Sequence, residues 1–586
     1  MNMMVRELIA KWLHQNAPYL EASEYRNLIA FPPRPEMGDY ALPCFQLAAG
    51  LRKPPPQIAT DIAGKLNSSA YPEYVDKIEI QGGYLNFFIN RNWFCNLTID
   101  LTERITEKKR ATAADENSGR VVLVEYSSPN IAKPFHVGHA FSTVLGQALA
   151  NIYSFAGYEV VRLNHLGDYG TQFGKLIVAW EKWGNEERLQ ADPINELLTI
   201  YVRFHDEAKD DPQLEIEARE QFRALEEGSP KQFALWKKFR EISLQEFTRV
   251  YERLGIAFDD YSGESFYSPL IPGVVDELAE KGLLEDSEGA KIVRLDDESL
   301  PPCIILKSDG STIYASRDIA AAIYRYDKWN FFKNIYVVGL PQKLHFQQVF
   351  AVLDKAGYAM AKDCRHVGFG LVRLPEGKLS TREGEVIYLE NLLDEAVEKT
   401  RAMVLANAEQ RNIDMTETEM DAIAENVGVG AIVFTFLCNG RERDIVFRWE
   451  DILDFDGDTG PYLQYTVSRC RSILRRAEEA DLLHSTLKLD SHIDDGYLIG
   501  DVAWAVISAM AQFERAVNQA IEENEPSHLS RQLLAVARSY NKFYNDYPIL
   551  RADTQDRNFG LILTRTIDNL LSLGLELLGI APVERM

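Results

Sequence analysis

The segment between residues 121 and 153 constrains this chain most. Residues 121–126 form a short apolar run of the kind buried in a parallel sheet. The loop SSPNIAKPFHVGH (127–139) follows, and 140–153 carries a helical pattern. Strand, loop and helix in that order open a doubly wound α/β domain, whose ligands sit beyond the carboxyl ends of the strands. Further short strands are expected at 160–164, 304–307, 334–338 and 367–371. Residues from about 176 to 255 read as a charged helical insertion, with LEIEAREQFRALEEG representative. Beyond about 395 no strand is expected and helical patterns run to the end.

Upstream, Leu8, Ile9, Trp12 and Leu13 make a helical stripe, and a second helix is expected at 57–66 after Pro54-Pro55-Pro56. Residues 77–80 and 84–89, separated by Gly82-Gly83, read as paired strands. The expected organisation is an α+β domain over 1–101, a polar linker over 102–119 and an α/β domain over 120–394 that carries the insertion. A helical connection over 395–456 and an all-helical domain over 457–586 complete it. A length of 586 residues fits, since about 150 per domain suggests roughly three to five domains.

With 46% hydrophobic and 26% charged residues, the chain is not largely disordered. Its net charge of −25 gives no support for non-specific binding to nucleic acid. The first 115 residues carry 13 basic and 13 acidic side chains, so the whole excess of acid lies in the remainder. The six cysteines, Cys44, Cys95, Cys303, Cys364, Cys438 and Cys470, include no C-x-x-C pair, which argues against structural zinc and a dense disulfide framework. The first sixteen residues lack the form of a secretory signal. No run of about 18 apolar residues is evident, so no membrane span is expected. A cytoplasmic chain is expected.

In the 127–139 loop, His136-Val137-Gly138-His139 stands where a helix begins. Gly138 has no Cβ, so a ligand can approach the backbone. The free N–H groups and dipole of the helix N-terminus favour an anion. His136 and His139, one turn apart, can donate to phosphate oxygens as charge builds, and Lys133 adds a mobile cation. Read as a metal pair, H-x-x-H lacks a third Cys or His at suitable spacing. The plain alternative is two polar residues capping a helix, and the place after a buried-type strand and before a helix favours the functional reading over it.

HVGH resembles the His-Ile-Gly-His element of class I aminoacyl-tRNA synthetases. The wider string SSPNIAKPFHVGHAFSTVLG, with NHLGDYGTQFG, DGSTIYASRDIA, GDTGPYLQY and the terminal VERM, resembles the arginyl-tRNA synthetases over nearly the whole chain. The resemblance implies a Rossmann-like class I catalytic domain, an N-terminal tRNA-binding domain and an all-α anticodon-binding domain. The implied activity forms arginyl-adenylate and pyrophosphate from L-arginine and ATP, then moves the arginyl group to the 3′-terminal ribose of tRNA(Arg). ATP with Mg²⁺, and no zinc, would serve it, tRNA would have to bind before arginine is activated, and a monomer is expected.

Class I members carry a Lys-Met-Ser-Lys-Ser loop on the ATP phosphates. The matching stretch is Lys378-Leu379-Ser380-Thr381-Arg382, where Thr381 replaces the second lysine. Members lacking that lysine resemble this chain in carrying one just before His-Ile-Gly-His, here Lys133. The resemblance assigns ATP to His136, Gly138, His139, Lys378, Ser380 and Arg382.

A guanidinium is a planar fork of donors, so a selective pocket needs carboxylates. Tyr314 and Asp318 are four apart and share a face if helical. By resemblance they and Glu264 hold the guanidinium, while Asn130, His165 and Gln342 hold the α-amino and carboxylate groups. The alternative for Asp318 is a salt bridge with Arg317 or Arg325. Unpaired carboxylates would reject analogues by roughly 10⁴-fold, so no editing domain is needed. For tRNA, the resemblance marks Tyr84 and Asn86 at the elbow, and Tyr544 and Met586 near the anticodon. Tyr84 and Phe88 could instead be plain strand residues on one face. Arg469, Arg471, Arg475 and Arg476 cluster on one expected helix, with Arg471 and Arg475 the candidate phosphate contacts. Two rival classes are a small-molecule nucleotidylyltransferase and a non-catalytic tRNA-binding paralogue.

Overall fold

A computed structural model describes residues 2–133, 135–373, 388–411, 414–482, 493 and 497–586. The strand–loop–helix unit is as the sequence suggests. Strand β1 (Val121–Glu125) leads to helix α1 (Val137–Phe155), and β2 (Glu159–Leu163) follows. With β3 (Lys333–Val337) and β4 (Cys364–Val367) they form a parallel sheet of order β4-β3-β1-β2. Val122, Leu123 and Val124 are wholly buried, as a central parallel strand requires.

Three expectations about strands need correction. Residues 304–307 lie almost entirely in a strand, Cys303–Leu306, but it belongs to a separate antiparallel sheet with Glu285–Ser287 and Ala290–Val293. The strand expected at 367–371 runs instead over Cys364–Val367. Beyond 395 one strand does occur: Ile445–Val446 pairs in parallel with Val372–Arg373. Two residues are too few to leave a period in the sequence.

The N-terminal domain packs helix Asn2–Asn16 and helix Pro55–Leu66 on a three-stranded antiparallel sheet. Its central strand, Tyr84–Ile89, pairs with Tyr40–Pro43 and Val75–Gln81 and buries Leu85, Phe87 and Ile89. The polar stretch after it is less of a linker than its composition suggests. Helix Arg91–Lys108 runs through it with Thr102 and Ile105 buried, and Glu103 pairs with Arg565 in the last helix, Thr554–Leu577.

The insertion is helical, and five helices from Thr171–Trp183 to α2 (Pro230–Arg253) share a core that includes Leu176, Leu197, Phe204 and Phe239. In the C-terminal half, helix Glu417–Leu437 is long and apolar enough to cross a membrane by length and composition, although Glu419, Asp421 and Glu425 interrupt its apolar run. Its second half, from Val427 to Leu437, is hydrophobic all round because it is a core segment, and the helix packs against Leu389–Arg411, Gly460–Glu479 and α1.

Candidate active site

The loop after β1 is held in an unusual path: Ser127, Ser128 and Ala132 all have positive φ, at 68°, 46° and 57°. Such conformations persist where surroundings over-determine them. Ser127 Oγ lies 2.8 Å from the Tyr251 hydroxyl and accepts from Thr143 Oγ1, and the Ala132 N–H donates to Ser243 Oγ at 2.8 Å. Tyr251 and Ser243 belong to α2, so the insertion braces the loop.

His136 is the N-cap of α1. Its Nδ1 accepts from the Gly138 N–H at 3.0 Å, and its own N–H donates to His139 Nδ1 at 3.3 Å. The two rings stack at 3.9 Å. Both Nδ1 atoms are therefore acceptors, so each ring carries its proton on Nε2. Burial lowers the His136 pKa, with the Lys133 charge adding to it. Burial, then His136 and Lys133, push His139 down to about 3. Neutral rings with Nε2–H available can donate to an anion without becoming acids. The glycine also has a second purpose: a Cβ on Gly138 would come within 2.8 Å of the His136 ring.

Lys378, Ser380, Thr381 and Arg382 lie outside the described residues. The chain on their far side returns to the histidines, because Tyr388 forms an antiparallel bridge with His136 and the Leu389 N–H donates to the Phe135 carbonyl at 2.9 Å. Lys133 sits with Nζ 5.9 Å from the Tyr201 ring centre.

Three of the residues expected to hold arginine come from segments following strands of the parallel sheet, and the others from two helices. Asn130 follows β1 and is exposed; His165 follows β2; Gln342 is exposed in the turn after β3. Glu264 opens a one-turn helix, α3 (Glu264–Tyr267), and Asp318 is on α4 (Tyr314–Trp329). Glu264 is pushed up to about 7, chiefly by burial; Arg317, 3.9 Å away, opposes the shift, while Asp318 and Asp168 add to it. Tyr314 is 63% exposed at the start of α4, with the Arg317 guanidinium 4.9 Å from its ring centre.

Neither salt bridge considered for Asp318 forms. Arg317 faces Glu264, and Arg325 pairs with Glu125 at 2.5 Å. The partner of Asp318 is His345, whose Nε2 is 2.5 Å from Oδ2. The sequence reading missed His345, although it lies three residues after Gln342. It considered Arg325 only as a partner of Asp318, whereas that side chain, 1% exposed, lies with Nη2 3.3 Å from His165 Nδ1. Arginine only donates, so His165 Nδ1 accepts and its proton is on Nε2. A usable signal was Glu125, a charge inside a buried-type strand, which demands a counter-charge.

Two candidate tRNA residues are not free surface groups. Asn86 is 2% exposed, so it does not reach RNA in this conformation. Arg471 is held by Asp568 at 3.1 Å, Glu584 at 2.5 Å and Ser572 at 3.1 Å, which makes it an internal clamp of the C-terminal domain. Tyr84 is exposed and meets Phe45 edge-on at 5.2 Å. Arg475, Tyr544 and Met586 come together with Arg469, Arg476 and Arg585 around a hollow of about 560 Å³. The Arg469 guanidinium lies 4.8 Å from the Tyr465 ring centre and 5.0 Å from that of Tyr544. Among the described residues no group of three or more His, Cys, Asp or Glu side chains is placed to hold a metal.

A parallel sheet with this capped helix after its first strand defines a class of protein, and the family model for class I (R) tRNA synthetase catalytic domains matches residues 100–449. The arginyl-tRNA synthetase N-terminal domain matches 3–89, and the DALR anticodon-binding domain matches 463–586. The chain is 47% identical over 582 residues to the arginine–tRNA ligase of Clostridium kluyveri, covering 99% of this chain and 100% of that one. It is 47% identical over 583 residues to that of Clostridium botulinum strain 657, with the same coverage. Among solved structures, Thermus thermophilus arginyl-tRNA synthetase superposes with a TM-score of 0.78 at 26% identity, over 99% of this chain and 100% of that one. The chain belongs to the arginyl-tRNA synthetase family.

Proposed function

We propose that the chain is an arginine–tRNA ligase. The observation that carries the choice of amino acid is the carboxylate pair of Glu264 and Asp318, close enough for the charge of one to be felt by the other. Two such groups match the donor fork of a guanidinium. Tyr314 completes that end, and Asn130, His165 and Gln342 receive the α-amino and carboxylate end. Full-length identity to arginine–tRNA ligases supports the same reading.

In the first step an arginine carboxylate oxygen attacks the α-phosphorus of ATP, the bond to the bridging oxygen breaks, and pyrophosphate leaves. No side-chain nucleophile is needed, since alignment and charge stabilisation suffice. His136 and His139 donate Nε2–H to phosphate oxygens as charge develops, and Lys133 supplies a cation. Lys378, Ser380 and Arg382 complete the ATP site by resemblance. Bound with ATP, Mg²⁺ would supply further positive charge to the phosphates. A hydroxyl of the 3′-terminal ribose of tRNA(Arg) then attacks the carbonyl carbon of arginyl-adenylate, the bond to the phosphate oxygen breaks, and AMP leaves. Arg475, Tyr544 and Met586 hold the anticodon end, and Tyr84 lies on the elbow side. The reading includes monomeric action in the cytoplasm and tRNA binding before arginine is activated.

The test is aminoacylation of total tRNA with each of the twenty amino acids. Arginine alone should be transferred; transfer of a different amino acid, or nucleotidyl transfer to a small acceptor, would overturn the assignment.

A further inference from the structure

Asp168 is wholly buried in the turn after β2, and its bonds converge on the segment that carries Glu264. Its Oδ1 accepts from the Ser265 N–H at 2.9 Å, and its Oδ2 accepts from Ser265 Oγ at 2.9 Å and Arg240 Nε at 3.1 Å. Its backbone carbonyl accepts from Trp236 Nε1 at 2.7 Å. Arg240 Nη2 also donates to the Tyr261 carbonyl at 2.9 Å, and the Glu264 N–H donates to the Leu166 carbonyl at 3.0 Å.

Helix α3 is one turn long, and its preceding residue, Gly263, offers no capping side chain. Asp168 supplies that cap from another part of the chain, satisfying an N–H that would otherwise lack a partner. The approach is so close that a Cβ on Gly263 would fall 2.4 Å from Asp168 Oδ1. A carboxylate with no exposure needs a counter-charge, and Arg240 from insertion helix α2 is that charge. On the outer side of the same segment a cavity of about 820 Å³ is lined by Trp236, Arg240, Gly263 and Phe266, so the backbone there is braced by these bonds rather than by bulk packing.

We propose that Asp168 and Arg240 are positioning residues for arginine recognition: together they fix the backbone on either side of Glu264 and aim its carboxylate at the guanidinium. The proposal rests on the assignment of Glu264 to that group. It makes arginine affinity depend on the seating of the insertion, because Arg240 and Trp236 move with α2. Asp168 is wholly buried and Arg240 is turned to Asp168 and the Tyr261 carbonyl, so both act through Glu264, and ATP binding and the chemical step lie outside their influence.

The test compares KM for arginine and for ATP in the full-length enzyme carrying Arg240→Gln, Arg240→Lys, Asp168→Asn or Glu264→Gln. Arg240→Gln should raise arginine KM about tenfold, the scale of one hydrogen bond to a charged group, with ATP KM and kcat within about twofold. Arg240→Lys should recover part of the loss by keeping the charge. Asp168→Asn should in addition move the pH dependence of arginine binding downward, because it removes one of the charges facing Glu264, leaving Arg317 and Asp318. Should that variant fail to fold, Arg240→Gln, on a side chain partly open to solvent, decides alone. Arginine KM unchanged in Arg240→Gln, while Glu264→Gln raises it, would overturn the positioning role and leave the role of Glu264 standing. Equal rises for arginine and ATP would overturn it as well. An unchanged arginine KM in Glu264→Gln would remove the assignment beneath it.

Discussion

His345 Nε2 lies 2.5 Å from Asp318 Oδ2, so one of the two carboxylates offered to the guanidinium is already oriented by the protein. The ring is on helix α5 (Lys343–Lys355), which follows Gln342, and the carboxylate is on α4. The contact ties the two ends of the arginine site together. His345→Ala should raise arginine KM about tenfold with little change in kcat, as expected for loss of one charge-assisted hydrogen bond of about 1.5 kcal/mol. Steady-state kinetics checks this. A lower KM would mean that His345 competes with substrate for Asp318.

His136→Ala or His139→Ala should slow adenylation by roughly 10²–10³-fold, the usual effect of removing one oxyanion-type donor. ATP affinity should change far less, because the donors matter where charge develops. Single-turnover adenylation and equilibrium ATP binding separate the two quantities.

The same histidines make stability depend on pH. A pKa held down to about 3 in the folded state, for His139, against 6.5 unfolded means that the unfolded chain binds more protons between those values. Its contribution is complete above pH 6.5 and declines as pH falls toward 3. Denaturant unfolding should show a loss of stability from pH 7 to pH 5 that shrinks in His139→Gln. An identical loss in the variant would contradict the buried neutral ring.

Glu264 has the opposite sign. Its folded-state pKa, pushed up to about 7, leaves much of it protonated in the empty site near neutrality. Guanidinium binding favours the anion, so arginine should bind with release of a proton, and its KM should fall as pH rises through 7. The break should vanish in Glu264→Gln. Calorimetry in buffers of different ionisation enthalpy measures the proton directly.

Arg471 and Arg475 are one helical turn apart on Gly460–Glu479, yet their substitutions should act on different quantities. Arg471→Ala breaks a half-buried pair with Asp568 and should cost about 2–3 kcal/mol of stability in the C-terminal domain. Arg475→Ala should leave melting unchanged, weaken tRNA binding and reduce the salt slope by about one.

That contrast shows where sequence reading stops. The β1–loop–α1 unit, the paired strands around Gly82-Gly83 and the helical insertion were legible because each is written in local periodicity. The histidine pair was legible because its place after a buried-type strand is local too. What covers a side chain is not local. Arg471 is claimed by Asp568, nearly a hundred residues later, and Arg475 is left beside the hollow. Asn86 is buried although its strand exposes Tyr84 two residues before it. The helical run through 102–108 was hidden because only Thr102 and Ile105 of that stretch face inward strongly enough to be buried. His345 and Asp168 were missed, and Arg325 was given the wrong partner, for the same reason: their partners are supplied by distant strands, turns and helices.

Lys133 and Thr381 form a further pair to test. If Lys133 supplies the cation that the loop lacks at Thr381, Lys133→Ala should slow adenylation well beyond an average surface change. Adding Thr381→Lys should restore part of the rate, since a point charge on a flexible stem tolerates a changed approach. A double-mutant cycle on single-turnover rates decides it, and simple additivity would count against the substitution.

The central claim is arginine activation coupled to tRNA, and arginine-dependent exchange of pyrophosphate into ATP, run with and without tRNA(Arg), tests it most directly. Exchange should appear only when arginine and tRNA(Arg) are both present. Exchange driven by another amino acid would contradict the carboxylate pocket, and full exchange without tRNA would contradict the coupling.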